Sequence, residues 1–128
     1  MAIHESGENY LEAILILKNS KGFVRSIDVS SYLGVTKPSV SRAMSILRSD
    51  GYLEVEPDGE LTLTEKGLSI ARQMYERHHI LTEYLCSLGV PRDIAADDAC
   101  RIEHVISQES FTKLREHAVK FHDINSEQ

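Results

Sequence analysis

The stretch from Ser26 to Leu47 leaves this chain few folds to choose from. Leu33-Gly34-Val35 stands in its middle, and glycine tolerates the positive φ that a sharp turn between two helices requires. Val29, Leu33, Val35, Val40 and Met44 supply apolar contacts on either side, so the two helices hold each other at a steep angle. Ser30, a small residue, sits where the first helix passes closest to the second. Ser26 is placed to cap the first helix, about 26–32. Thr36 caps the second, which has Pro38 in its first turn. The spacing predicts a helix-turn-helix.

The next two segments extend that motif. Tyr52-Leu-Glu-Val-Glu56 and Glu60-Leu-Thr-Leu-Thr64 both alternate with period two, and Pro57-Asp58-Gly59 between them reads as a hairpin turn. The hairpin makes the motif a winged one. Upstream, Tyr10, Leu11, Ile14, Leu15 and Leu17 form a helical stripe over about 5–19, stopped at Lys21-Gly22. Downstream, a long helix runs from Thr64 to about Leu88, closed by Gly89. Pro91 opens another over about 91–107, and a last one runs from Glu109 to about Phe121, leaving a polar, frayed tail from Asp123. The fold class is mainly α. A winged helix-turn-helix occupies residues 1–70 and an α-helical domain residues 71–128.

Net charge is −6, which by itself argues against a nucleic-acid partner. Its distribution reverses that. Lys18, Lys21, Arg25, Lys37, Arg42 and Arg48 face only Asp28 within residues 18–48, a local +5 that leaves −11 elsewhere. A basic reading surface joined to an acidic, cation-binding body is the natural interpretation. No apolar run is long enough to span a membrane, and no signal peptide is visible. Cys86 and Cys100 make no disulfide framework, so a cytoplasmic protein is expected.

Thr36, Lys37, Pro38, Ser39, Ser41 and Arg42 occupy the start and outer side of the second helix, where base edges and phosphates of a major groove are met. Arg42 is the base-reading candidate, because guanidinium pairs bidentately with guanine. Lys37, Arg25, Lys18 and Lys21 are expected on phosphate. The hairpin tip is acidic and poorly suited to DNA.

A second constellation lies later in the chain. Cys100, Glu103 and His104 share one side of a helix, and thiol, carboxylate and imidazole are all transition-metal ligands. On the long helix His78 follows the stripe of Ala71, Met74, Leu81 and Leu85, whereas His79 follows the polar side. Asn9 and Glu12 lie three apart on the first helix. Together these residues suit Fe²⁺, Mn²⁺, Co²⁺ or Zn²⁺ better than Ca²⁺ or Mg²⁺. Cys86 reads as a core thiol, and His4, His117 and His122 as surface residues.

Glu8-Asn-Tyr-Leu-Glu-Ala-Ile, Val40-Ser with its flanking helices, Leu63-Thr-x-x-Gly67, Arg77-His78 and Ile102-Glu-His104 resemble the diphtheria toxin repressor and manganese transport regulator family over residues about 5–115. The resemblance implies a homodimeric repressor, activated by Fe²⁺ or Mn²⁺, on palindromic double-stranded operators of metal-homeostasis genes. Co²⁺, Ni²⁺ or Zn²⁺ would substitute in vitro. It also implies that residues 71–128 bind metal and dimerise. Glu12, His78, Glu103 and His104 match ligands of the manganese-sensing branch. Cys100 falls where that branch has glutamate and the iron-sensing branch has cysteine. Asn9 departs from the aspartate of one and the methionine of the other. Thr82 and Ala96 lack the glutamate and histidine of the iron branch's second site, and the chain stops before that branch's SH3-like domain. The dimer surface is expected among Ile94, Ile102, Val105, Ile106, Phe111 and Leu114. No catalytic constellation or substrate pocket is visible, so an enzyme is not expected. The competing expectation is a winged-helix regulator that senses a small organic ligand, or oxidation through Cys100.

Overall fold

A computed structural model describes residues 5–122 and 124, with the side chains of residues 121 and 122 left aside. His4 and the His122 side chain therefore lie outside the described residues. The element order is α1 (Glu5–Lys21), α2 (Ser26–Leu33), α3 (Lys37–Ser49), β1 (Leu53–Val55), β2 (Leu61–Leu63), α4 (Glu65–Ser87), α5 (Arg92–Val105) and α6 (Gln108–His122). The chain forms two compact units, Met1–Arg72 and Gln73–Gln128.

In the first unit, α1 carries Glu5 and Glu8 in its first turn and Lys18 and Lys21 in its last, which complements the helix dipole. Gly22, at φ 84°, ends it by donating to the Lys18 carbonyl at 2.9 Å. The α2–α3 turn is built as the spacing predicts. Gly34 adopts φ 69°, and its N–H and that of Val35 return to the Ser30 carbonyl at 2.9 and 3.2 Å. Ser30 adds its hydroxyl, donating to the Val35 carbonyl at 2.6 Å. Ser26 is not the cap of α2. That position belongs to Arg25, whose backbone N–H is held by the Asp28 carboxylate at 2.8 Å. Aspartate at the third helical position reaches back to the backbone, which a serine one residue later cannot do.

The hairpin pairs Leu53 with Leu63, Glu54 with Thr62 and Val55 with Leu61, antiparallel. Val24 extends it, its carbonyl accepting from the Leu61 N–H at 2.8 Å. Leu11, Ile14, Val24, Val29, Val40, Met44, Leu47, Leu53 and Leu61 fill the core beneath. Thr64 then caps α4, accepting from Gly67 N–H at 3.1 Å while donating to the Gly51 carbonyl at 2.7 Å. Gly67 is obligatory for a packing reason: a Cβ there would sit 1.9 Å from the Tyr52 carbonyl oxygen.

The second unit packs Ile80 and Leu81 of α4, Ala99 of α5, and Phe111 and Ala118 of α6 around a smaller core. Ile124, in the segment expected to fray, packs into that core, its N–H reaching the Ala118 carbonyl at 3.4 Å.

Candidate functional site

Two clusters of side chains stand out, one in each unit. On α3, Thr36 accepts from the Ser39 N–H at 3.3 Å and donates its hydroxyl to Ser39 Oγ at 2.8 Å. This cap fixes the helix start and leaves Thr36, Lys37, Pro38, Ser41 and Arg42 exposed, with Ser39 half-buried. Lys37 with Ser41, and Pro38 with Arg42, stand four residues apart, so they form one outward face. Arg25 is exposed at the α2 cap, its guanidinium 5.0 Å over the Phe23 ring and its side chain close to Gly59 of the hairpin.

Lys18 and Lys21, expected on phosphate, are each paired with a carboxylate within the first unit. Lys18 pairs with Glu60 at 2.6 Å, and Lys21 with Asp28 at 2.5 Å. The Lys21 ammonium, then the Arg25 N–H, hold the Asp28 carboxyl below the usual carboxylate range. The acidic hairpin residue therefore has a structural task, anchoring the hairpin to α1. The outward positive charge rests on Arg25, Lys37, Arg42 and Arg48, all exposed.

In the second unit, α5 buries Ala95, Ala99 and Glu103, spaced four apart on one stripe. Two alanines at those places let α5 approach closely, and the third place carries a carboxylate that is 0% exposed. Neither Glu103 oxygen accepts a hydrogen bond from another described residue. His78 Nδ1 stands 3.5 Å from Oε2, and His104 Nε2 stands 3.6 Å from Oε1. The His104 side chain is buried, while that of His78 is 35% exposed.

Those separations exceed a hydrogen bond. They match the roughly 3.4 Å expected between two donors sharing one tetrahedral ion with bonds of about 2.1 Å. A buried ionised carboxylate without donors costs several kcal/mol unless a cation meets it. His78 and Glu103 thus fit a divalent transition-metal ion, and His104 stands at the other carboxylate oxygen. On α1, Glu12 is buried (5% exposed) and Asn9 half-buried, one turn apart.

Cys100 is exposed, and the ligand atoms gathered around Glu103 among the described residues do not include its sulfur. Cys86 is half-buried, and His117 is exposed with its Nδ1 3.2 Å from the Tyr84 hydroxyl.

Arg77 was not legible as a structural residue, yet it is 6% exposed and organises the corner between α5 and α6. Its Nη1 donates to the carbonyls of Glu103 and Ile106, both at 2.9 Å, and its Nη2 to Gln108 Oε1 at 3.1 Å. Those carbonyls end α5 and have no helical partner of their own. The signal in the sequence was an arginine flanked by Met74 and Leu81 at helical spacing.

Beside His78 lies a cavity of about 260 Å³, lined also by Tyr75, His79, Thr82, Glu83, Arg92 and Ala96. Arg92 grips Glu83 at 2.6 and 3.3 Å and holds its carboxyl below the ordinary range. Thr82 and Ala96 therefore line a space whose acid already has a cation. The expected dimer surface also divides here. Phe111 is buried, Ile102, Ile106 and Leu114 pack against the second core, and Ile94 and Val105 remain outside.

Comparison with known proteins assigns a family domain to each half of the chain. Residues 2–61 match the model of the iron dependent repressor N-terminal DNA binding domain, and residues 64–123 that of the iron dependent repressor metal binding and dimerisation domain. The HTH-type transcriptional regulator MntR of Lysinibacillus sphaericus is 34% identical over 109 residues, 85% of this chain and 78% of its own length. An HTH-type regulator of Methanocaldococcus jannaschii is 31% identical over 121 residues, covering 93% of this chain and 97% of itself. A manganese-dependent transcriptional repressor solved in complex with manganese aligns at TM-score 0.78 and 26% identity, over 86% of this chain. The chain spans 51% of the length of that solved neighbour.

Proposed function

Because the chain belongs to the iron dependent repressor family, we propose that it is a homodimeric repressor that Fe²⁺ or Mn²⁺ switches onto palindromic operators of metal-homeostasis genes. One observation carries this reading: a fully buried carboxylate, Glu103, that lacks hydrogen-bond donors among the described residues and has an imidazole at each oxygen. A bound Fe²⁺ or Mn²⁺ supplies the positive charge that this carboxylate lacks. His78, Glu103 and His104 form the kernel of the ligand set. Glu12 and Asn9 of α1 join it in this reading, and Cys100 of α5, exposed, stands apart from it. Glu12 and Asn9 belong to the helix that packs beneath the reading head, so ligation by them would bias the placement of that head. The DNA-competent arrangement gains population in proportion to the metal's preference for it, and DNA reciprocally tightens metal binding.

Arg42 reads a base edge. Arg25, Thr36, Lys37, Pro38, Ser39 and Ser41 set register on phosphate and sugar. Two-fold symmetry of the dimer asks for half-sites about one helical turn apart, or a multiple of it. We read the chain as a cytoplasmic regulator and not an enzyme, because its family is one of transcription regulators and Glu103 is enclosed instead of facing a substrate. Exposure of Cys100 favours a second input, oxidation of the thiol.

Operator binding measured anaerobically across Mn²⁺, Fe²⁺, Co²⁺ and Zn²⁺ tests the assignment. Glu103→Gln and His78→Ala should each lose at least about a hundredfold of the metal-induced affinity, whereas Arg42→Ala should cost about 1–3 kcal/mol with metal present and relax specificity at one base pair. Unchanged metal responses in Glu103→Gln and His78→Ala would remove the site. A peroxide effect that disappears in Cys100→Ala, with the metal response intact, would establish the thiol as a separate input.

A further inference from the structure

The hairpin that makes the reading head winged has no cation of its own. Residues 52–64 hold Glu54, Glu56, Asp58 and Glu60, and neither lysine nor arginine. A phosphate backbone would repel such a tip. The segment that runs beside the hairpin supplies what it lacks. The Val24 carbonyl accepts from the Leu61 N–H at 2.8 Å, which lays residues 23–25 along β2. Arg25 is extended, at φ −117° and ψ 169°, and extended backbone sends alternate side chains to opposite sides. Val24 accordingly goes inward and is fully buried, while Phe23 and Arg25 share the outer side.

On that side the Arg25 guanidinium lies 5.0 Å over the Phe23 ring, which is exposed. The Arg25 stem passes the hairpin at Gly59, where a Cβ would stand 3.7 Å from Nε. Among the described residues the guanidinium forms no ion pair, and Asp28, the acid beside it, is held by Lys21 and by the Arg25 N–H. One charge is thus fixed at an acidic tip and left outward.

We propose that Phe23 is a positioning residue for DNA, holding the Arg25 guanidinium at the hairpin so that Arg25 serves as the hairpin's phosphate anchor. The inference rests on the reading of the chain as a DNA-binding regulator with Arg25 on the backbone. An arginine free to rotate must be ordered when it meets a phosphate, and that ordering weakens binding. A ring on one side and the Gly59 backbone on the other restrict Arg25 beforehand. The guanidinium offers its face to the ring and keeps N–H edges for phosphate oxygens, a division that a lysine ammonium cannot make.

The test is a double-mutant cycle on the whole chain with Mn²⁺, read by fluorescence anisotropy. The probe is a duplex selected from a random pool by the parent protein. Arg25→Ala should weaken binding on the order of tenfold, as loss of a charge-assisted contact. Phe23→Leu should weaken it about two- to fivefold, the worth of an exposed cation–π contact, and Phe23→Tyr should not. In the Arg25→Ala background Phe23→Leu should change nothing further, because the ring then has no guanidinium to hold. A loss from Phe23→Leu that is equal in both backgrounds, or no loss in either, would overturn the proposal. Should Phe23→Leu lose helix content, Phe23→Trp decides it: the larger π face should bind the duplex at least as tightly as the parent, and weaker binding would sink the idea. A parent that selects no duplex at all would defeat the DNA-binding reading itself, and this inference with it.

Discussion

Two places at the C-terminal end of α5 treat charge in opposite ways. At the α5–α6 corner, the buried Arg77 guanidinium has the carbonyls of Glu103 and Ile106 and the Gln108 side chain as acceptors. At the Glu103 side chain, an equally buried carboxylate has no donor among the described residues. The contrast is sharpened because Arg77 touches Glu103 itself, through the main chain, and leaves the carboxylate alone. A cation was within reach and is committed to closing a helix. At the corner three acceptors are met by Arg77 Nη1 and Nη2 as folded, whereas neither oxygen of the carboxylate has a hydrogen-bond donor among the described residues.

Substitutions at the two places should part company accordingly. The largest effect belongs to Arg77→Met, which fills similar volume but strips three acceptors of their donor; urea unfolding should show a loss of about 3 kcal/mol, with or without metal. Glu103→Leu should act in the other direction in the presence of a chelator. Replacing a donorless buried carboxylate by a hydrocarbon should stabilise the metal-free protein by about 1 kcal/mol and abolish the rise in Tm that Mn²⁺ gives the parent. A metal-free Glu103→Leu protein less stable than its parent would show that the carboxylate has a structural partner after all. The smallest effect comes from a charge that is paired in the ordinary way at the surface. Asp28 is held low by Lys21 and the Arg25 N–H, so its contribution is present at neutral pH and lost as the pH falls through the carboxylate range. Asp28→Asn should flatten that part of the stability–pH curve by less than about 1 kcal/mol.

Much of this was legible in the chain because it is local. Gly34 and the apolar spacing around it dictate the α2–α3 turn, and Pro57-Asp58-Gly59 between alternating segments dictates the hairpin. The imidazole and carboxylate proposed for the metal could be named because 103 and 104 stand three and four residues after Cys100 on one helix. What was not legible depends on which groups meet across space. Arg77 reads as one more polar helix residue until the end of α5 is seen to open onto it. Cys100 stands one turn before Glu103 and His104 by spacing, yet it is exposed while Glu103 is buried. Ile124 looks like part of a polar tail until a core is there to receive it.

The pairing of Lys18 with Glu60 and Lys21 with Asp28 reaches beyond architecture. Every phosphate neutralised by a lysine releases condensed counterions, and each such contact steepens the fall of affinity with ionic strength by about 0.9 in the log–log slope. If Lys18 and Lys21 keep these surface pairs when the operator is bound, that slope should be shallower by up to about 1.8 for each protomer than if both met phosphate. Operator occupancy would then depend less steeply on ionic strength.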